Sequence, residues 1–323
     1  LVSSSAASDV YKRQPLVLPL ALFLYPKYSS LFHAMARHLL NISQTNSLFS
    51  MIMKRYLHQA IFTLLLTLSI QVGAEEQSCK VDLDKLIWAK AEYAISGDTI
   101  IVQNQRLRLI GIYAPQKERK QKFHTPGEPL AAEAQLFLNK LLANNDLDIG
   151  IEYDETRIDN RNRQLAHLFL KDGTSIQQKL LESGYVLNRT TYNNTKHAKC
   201  YYEAEAKARQ GQYQLWDLLA KHPERHFPLA NSSELTSDDE GYRIIRGKVL
   251  EVDKSSNNYI INMDTTGIRV PKKDWDNFDY NKLKSLQGKT IEVRGYAYLY
   301  KGPMYIVIDH PYAIDQFNPL AKP

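Results

Sequence analysis

The chain has 323 residues, 44% of them hydrophobic and 24% charged, with a formal net charge of +6. That length holds two separate cores, and the mix is that of a globular chain, which excludes a disordered or fibrous one. The charge says less than it suggests: residues 1–74 hold six Lys or Arg against one Asp, leaving 35 basic against 34 acidic residues beyond them, so a polyanion ligand would have to meet a local patch.

Residues 1–52 begin "LVSSSAASDVYKRQ", which resembles translated adapter sequence, and are read as a non-native or untranslated upstream segment. Residues 53–74 have the build of an export signal. Lys54 and Arg55 form a basic start, Ala60 to Val72 an apolar run, and Val72-Gly73-Ala74 a small-residue cleavage site. The apolar run is short for a bilayer span of about 20 residues; an uncleaved anchor is the alternative. Cleavage near Ala74 implies a periplasmic or secreted protein whose mature form does not span a membrane. Cys79 and Cys200 both follow that point, and an even count in an oxidising compartment favours a disulfide. Such a bridge would stabilise by about 4 kcal/mol on the chain-entropy model. Two unconnected buried thiols are the other possibility. No Cys/His cluster has zinc-ligand spacing.

Along the mature chain, "LIWAKAEYAI", "DTIIVQ" and "QRLRLIGI" predict a meander of antiparallel strands over 87–112. A polar, basic loop, "QKERKQKFHTPGEP", follows at 116–129. A helix is predicted next, with Leu130, Ala134, Phe137, Leu138 and Leu141 on one face. Strands are expected at 147–153 and 164–170 around a charged turn, then a short helix from Ser175 to Ser183 stopped by Gly184, and a longer one from Cys200 to Leu219. Residues 220–241, with two prolines and an acidic end, are read as a linker. Beyond it, strands near 242–252, 257–263, 267–270, 289–299 and 304–309, with a helix near 274–286, give the order of an OB barrel. No repeat of 20–50 residues is evident.

Several motifs now fall in one order. "SGDT" at 96–99, "RLRLIGIYAPQ" at 106–116, "DNRNRQLAHLFLKDG" at 159–173, "LLESGYV" at 180–186 and "EAEAKARQGQYQLW" at 203–216 resemble the staphylococcal nuclease (thermonuclease) family. The fold class implied is mainly β with α: a five-stranded nuclease-type OB barrel with three helices over 75–219, followed by a second, smaller OB-like barrel over 242–315. "LQGKTIEVRG…GPMYIVIDHP" is similar to a C-terminal extension of some exported members.

In that family calcium holds the scissile phosphate, a glutamate activates water and two arginines steady the transition state. Calcium needs about 6–8 oxygen ligands, the water needs a base within reach, and guanidinium forks match phosphoryl oxygens. Carried over by position, Asp98 is the first metal-ligand aspartate, and Arg108 and Arg163 are the transition-state arginines. The departures are at the chemistry. Tyr113 stands at the second ligand position, Gln116 at the base position and Ser96 at the first acid of the family's D-G-D. A glutamine amide takes no proton near neutral pH. Glu118 is a possible substitute base; the alternative is a solvated charge in "QKERKQK". Calcium is therefore expected to bind weakly or not at all. If the defect is purely chemical, Tyr113→Asp with Gln116→Glu should raise calcium-dependent cleavage by about 10² or more.

Nucleic-acid contact does not need catalysis. Arg106 and Arg108 share one strand face, Arg161 and Arg163 flank the next turn, and Lys117, Arg119, Lys120 and Lys122 lie in the adjoining loop. The loop lysines could equally serve solubility. Tyr296, Tyr298 and Tyr300 share a strand face where they could stack bases or simply suit a strand. The resulting reading is an exported, monomeric thermonuclease-family protein that hydrolyses DNA or RNA weakly with a metal. The alternatives are a degenerate fold that binds nucleic acid or another polyanion without cutting, or a structural envelope module. No protein partner is inferable.

Overall fold

A computed structural model of the chain describes residues 79–120, 124–191 and 193–315. The expected signal and upstream segments lie outside the described residues. Among the described residues, no helix is long and apolar enough to cross a membrane.

The first barrel opens with β1 (Ile87–Lys90) and β2 (Tyr93–Ser96), two halves of one strand bent at Ala91 and Glu92. β3 (Thr99–Val102) and β4 (Gln105–Leu109) complete the expected meander, and β5 (Gly111–Tyr113) follows at once. On β4 the period-2 pattern sends Leu107 and Leu109 inward and Arg106 and Arg108 outward. A small hairpin of β6 (Arg119–Lys120) and β7 (His124–Thr125) precedes α1 (Ala131–Ala143), which buries Ala134, Leu138 and Leu142. Then come β8 (Asp148–Glu152), β9 (Gln164–Phe169), α2 (Ile176–Glu182) and β10 (Leu187–Arg189). The sheet runs β1-β8-β9-β4-β3-β2, so the halves of the bent strand occupy its two edges and close it into a five-stranded OB barrel. β4 and β9 pair in parallel; the other pairs are antiparallel.

The long helix expected over 200–219 is two. α3 (Ala198–Gln210) stops at Gly211, and α4 (Leu215–Lys221) restarts beyond Gln212 and Gln214, both at positive φ. The cause is a close approach. Gly184, at φ +72°, leaves room for the Tyr213 carbonyl, and its own carbonyl accepts from Leu215 N at 3.1 Å. Cys79 and Cys200 form the disulfide, with Cα atoms 5.5 Å apart.

The stretch 220–241, read as a linker, runs between the barrels and is packed in its second half. β11 (Leu229–Asn231) pairs in parallel with β12 (Gly241–Lys248), and Phe227, Leu229 and Ala230 are buried. The apolar residues among its prolines and polar residues fill the space between barrels. Phe227, Leu229, Tyr242 and Ile244 join Tyr113, Leu187, Leu215 and Trp216 in one shared core.

The second barrel repeats the first barrel's topology. β12 and β13 (Glu251–Lys254) are halves of one strand broken at Val249 and Leu250. β14 (Asn258–Asn262), β15 (Thr266–Pro271), β16 (Thr290–Leu299) and β17 (Met304–Val307) complete it. The order β11-β12-β16-β17-β15-β14-β13 again puts the halves of the broken strand on either side of the other four. The helix expected near 274–286 is instead a 3₁₀ turn (Lys272–Asn277) and α5 (Tyr280–Lys284), because Asp279 caps α5 by accepting from Asn281 N and Lys282 N.

Charged pairs lock the barrels together. Arg294, buried on β16, donates to both oxygens of Asp315 at 2.9 Å, to Glu205 on α3 at 2.7 Å and to the Asn188 carbonyl at 3.1 Å. Glu292 takes both Arg209 nitrogens, at 2.7 and 2.8 Å, and pairs with Arg246.

Candidate functional site

A cleft of about 1560 Å³ opens along the seam between barrels. Most of the residues singled out in the sequence line it: Asp98, Arg106, Arg108, Tyr113, Gln116, Lys117, Glu118, Arg119, Arg161 and Arg163. Lys120 does not line it, and Lys122 lies outside the described residues.

Asp98 sits in the β2–β3 turn. Gly97 makes the turn possible, since an added Cβ would lie 2.7 Å from Ala134 Cβ on α1 and 2.9 Å from Ala114 Cβ. The Asp98 carboxylate is buried and fully engaged. Oδ1 accepts from Ser96 Oγ at 3.0 Å and Thr99 Oγ1 at 2.9 Å; Oδ2 accepts from Ala114 N at 3.3 Å and faces Arg108 Nη1 at 2.8 Å. Arg163 is held likewise, with Nε 2.7 Å and Nη2 2.6 Å from Asp159 Oδ2. Burial would push the Asp159 carboxyl up, but the backbone amides of Arg161 and Arg163 and the Arg163 guanidinium outweigh it and hold it below its ordinary range. Asn162 supplies the left-handed turn at φ 56°. Both arginines matched to transition-state roles are thus paired with a carboxylate at the cleft wall.

Tyr113 borders the cleft but is almost wholly enclosed. Its ring is 2% exposed, stacks on Tyr242 of the second barrel at 4.3 Å and meets Tyr296 edge-on at 6.0 Å. Its hydroxyl donates to Glu128 Oε2 at 2.5 Å. Burial, with the Glu128 charge beside it, pushes the Tyr113 hydroxyl well above its ordinary value, so it remains a donor. Glu128 Oε2 also accepts from Gln116 N at 2.7 Å, and Oε1 faces Arg243 Nη1 at 3.4 Å. Burial pushes the Glu128 carboxyl up, and these partners hold it back. The Gln116 amide is turned inward, donating to the Ala114 carbonyl at 2.7 Å, while its Oε1 accepts from Arg119 at 3.3 Å. Glu118 stays exposed at the rim, 3.6 Å from Lys120 Nζ. Among the described residues, no three His, Cys, Asp or Glu side chains converge as a metal cage.

Over residues 106–218 the chain matches the family model described as staphylococcal nuclease homologue. From β4 to α4 the first barrel is thus similar to a staphylococcal nuclease homologue. The match takes in Arg108, Tyr113, Gln116 and Arg163 and begins after Asp98. No curated protein matches the chain.

Sequence reasoning missed three contributors to the cleft, Glu128, Arg189 and Arg243, and did not place Tyr296, read as a stacking residue, beside them. Glu128 lies in "TPGEP", within the stretch read as a polar, basic loop, whose sequence does not say which wall it closes against. Arg189, Arg243 and Tyr296 arrive through tertiary packing. Arg243 is buried, its Nε has no hydrogen-bond partner among the described residues, and its guanidinium carbon lies 5.0 Å from the Phe227 ring centroid.

Proposed function

We propose that this protein holds a nucleic-acid strand in the cleft between its barrels without efficiently cutting it. The observation that carries this is Tyr113. At the position where a nuclease needs a ligand carboxylate, its ring is clamped by the second barrel and its hydroxyl is committed to Glu128. The residues present do not fit a resident calcium ion. A hard cation wants several free oxygens, and both oxygens of the one matched carboxylate, Asp98, are spent on Arg108 and three neutral donors. Gln116 supplies no base.

Binding has local support that the whole-chain charge lacks. Nine Lys or Arg line the cleft against six Asp or Glu. Arg106 and Arg161 are exposed and make no ion pair among the described residues, so they are the strongest phosphate contacts. Replacing Arg106, Arg119 and Arg161 singly by Ala should each lower the slope of log affinity against log salt by about 0.7 for single-stranded DNA or RNA. Lys120→Ala should leave it unchanged. An unchanged slope in all three arginine variants would move the interface elsewhere.

One observation favours the second reading, weak metal-dependent hydrolysis. Glu128, a carboxylate raised by burial, lies beside Gln116 at the family's base position. Residual cleavage that disappears in Glu128→Gln would support it.

Export to the periplasm or medium is proposed with this function. The Cys79–Cys200 disulfide supports an oxidising compartment. Intact mass of the exported protein should correspond to a start near Glu75 and fall two hydrogen atoms short of the dithiol; a mass that retains Met53 would refute cleavage.

A further inference from the structure

We infer that the outer face of β16 and β17 is a base-stacking platform that continues the cleft, so that the ligand is an unpaired nucleic-acid strand rather than a duplex or a baseless polyanion. This rests on the cleft reading above and adds a ligand class and a second binding surface, on the barrel outside the family match.

The geometry runs outward from the cleft. Tyr296 lines it, and the Arg189 guanidinium lies 5.0 Å from the Tyr296 ring. Tyr298 follows two residues on along β16, about 6.6 Å further, and Tyr300 lies one residue beyond the end of that strand. The three rings are 49%, 40% and 55% exposed. Tyr305 of β17 pairs directly with Tyr298, and its ring lies 6.1 Å from Tyr298 and 6.0 Å from Tyr300. Gly267 on the neighbouring β15 leaves space for that ring, since a Cβ there would come 2.7 Å from it.

Tyrosine suits strands, but strand preference does not account for the cations. Arg269 lies 4.8 Å from the Tyr305 ring and Lys301 5.3 Å from the Tyr300 ring. Exposed aromatic faces beside positive charge match a strand that offers base faces and phosphates together. A duplex hides its base faces, and an anionic polymer without bases has none to offer.

The test uses the mature protein with three fluorescent probes at one salt concentration: oligothymidylate, an abasic strand of equal length, and the corresponding duplex. The unpaired thymidine strand should bind at least tenfold more tightly than the abasic strand. Tyr298→Ala with Tyr300→Ala should remove that preference, each ring contributing about tenfold, while leaving the salt slope and abasic binding unchanged. Phe at both positions should restore it, since stacking needs the ring and not the hydroxyl. Both side chains are exposed, and an unchanged melting temperature confirms folding. Equal binding of thymidine and abasic strands with a steep salt slope would overturn the platform and leave the cleft standing. Salt-independent binding, or none, would overturn both. A concentration-dependent dimer abolished by the tyrosine variants would assign the face to a second copy and overturn the platform.

Discussion

Tyr113→Asp, the change that returns a ligand carboxylate to the nuclease position, is expected to cost about 3–5 kcal/mol and to yield no calcium-dependent cleavage. The cost follows from placement. The ring is enclosed in a core shared with Leu187, Trp216 and Tyr242, and removing a buried aromatic costs about that much. The new carboxylate would also be buried beside Glu128, where two like charges cannot both ionise cheaply. Tyr113→Phe keeps the ring and loses one hydrogen bond to a carboxylate, so it should cost about 1–3 kcal/mol. Adding Gln116→Glu should not rescue activity. The gain of 10² or more expected from sequence assumed that both side chains faced a phosphate, whereas Tyr113 faces the second barrel. Urea denaturation and a cleavage assay on the variants check this. A Tyr113→Asp protein within 1 kcal/mol of the parent that cuts with calcium would refute it.

Arg294→Ala is expected to destabilise by about 3–5 kcal/mol, because it strands two buried carboxylates, Glu205 and Asp315, without their cation. Arg294→Lys should recover little, since a lysine cannot reproduce the fork on Asp315 while also reaching Glu205 and the Asn188 carbonyl. The neighbouring pair makes the same seam acid-sensitive. Burial pushes the Glu292 carboxyl up, but Arg209 and Arg246 outweigh it and hold it down at about 2, below its ordinary 4.5. The stability it contributes is therefore complete above pH 4.5 and is lost as pH falls toward 2. Glu292→Gln should be less stable than the parent at pH 7, and the gap should close across that window. A gap that is constant with pH would show that the pair does not titrate with folding.

How much of this was legible in the sequence depended on whether the signal was local. β4 declared itself through Leu107 and Leu109 alternating with two arginines, and the second barrel through evenly spaced short strands. The break between α3 and α4 was hidden because Gln212 and Gln214 adopt positive φ only to fit Tyr213 over Gly184, a contact between distant segments. At the site, Asp98, Arg108 and Arg163 could be found because each lies in a short motif. Tyr113 was visible as a departure but not as an anchor, because its partners Tyr242 and Tyr296 come from another domain. Glu128 escaped for the same reason: a proline-bounded loop gives no hint of which wall it closes against.

On the function proposed above, the second barrel has taken over the catalytic corner of the first and left a cleft that grips without cutting. The most direct measurement follows binding and cleavage of one labelled single-stranded oligonucleotide by the mature protein, with calcium and with chelator. Salt-dependent binding that is the same in both is expected, with strand breakage at the level of buffer alone. Calcium-dependent breakage that chelator stops and Arg108→Ala abolishes would contradict it.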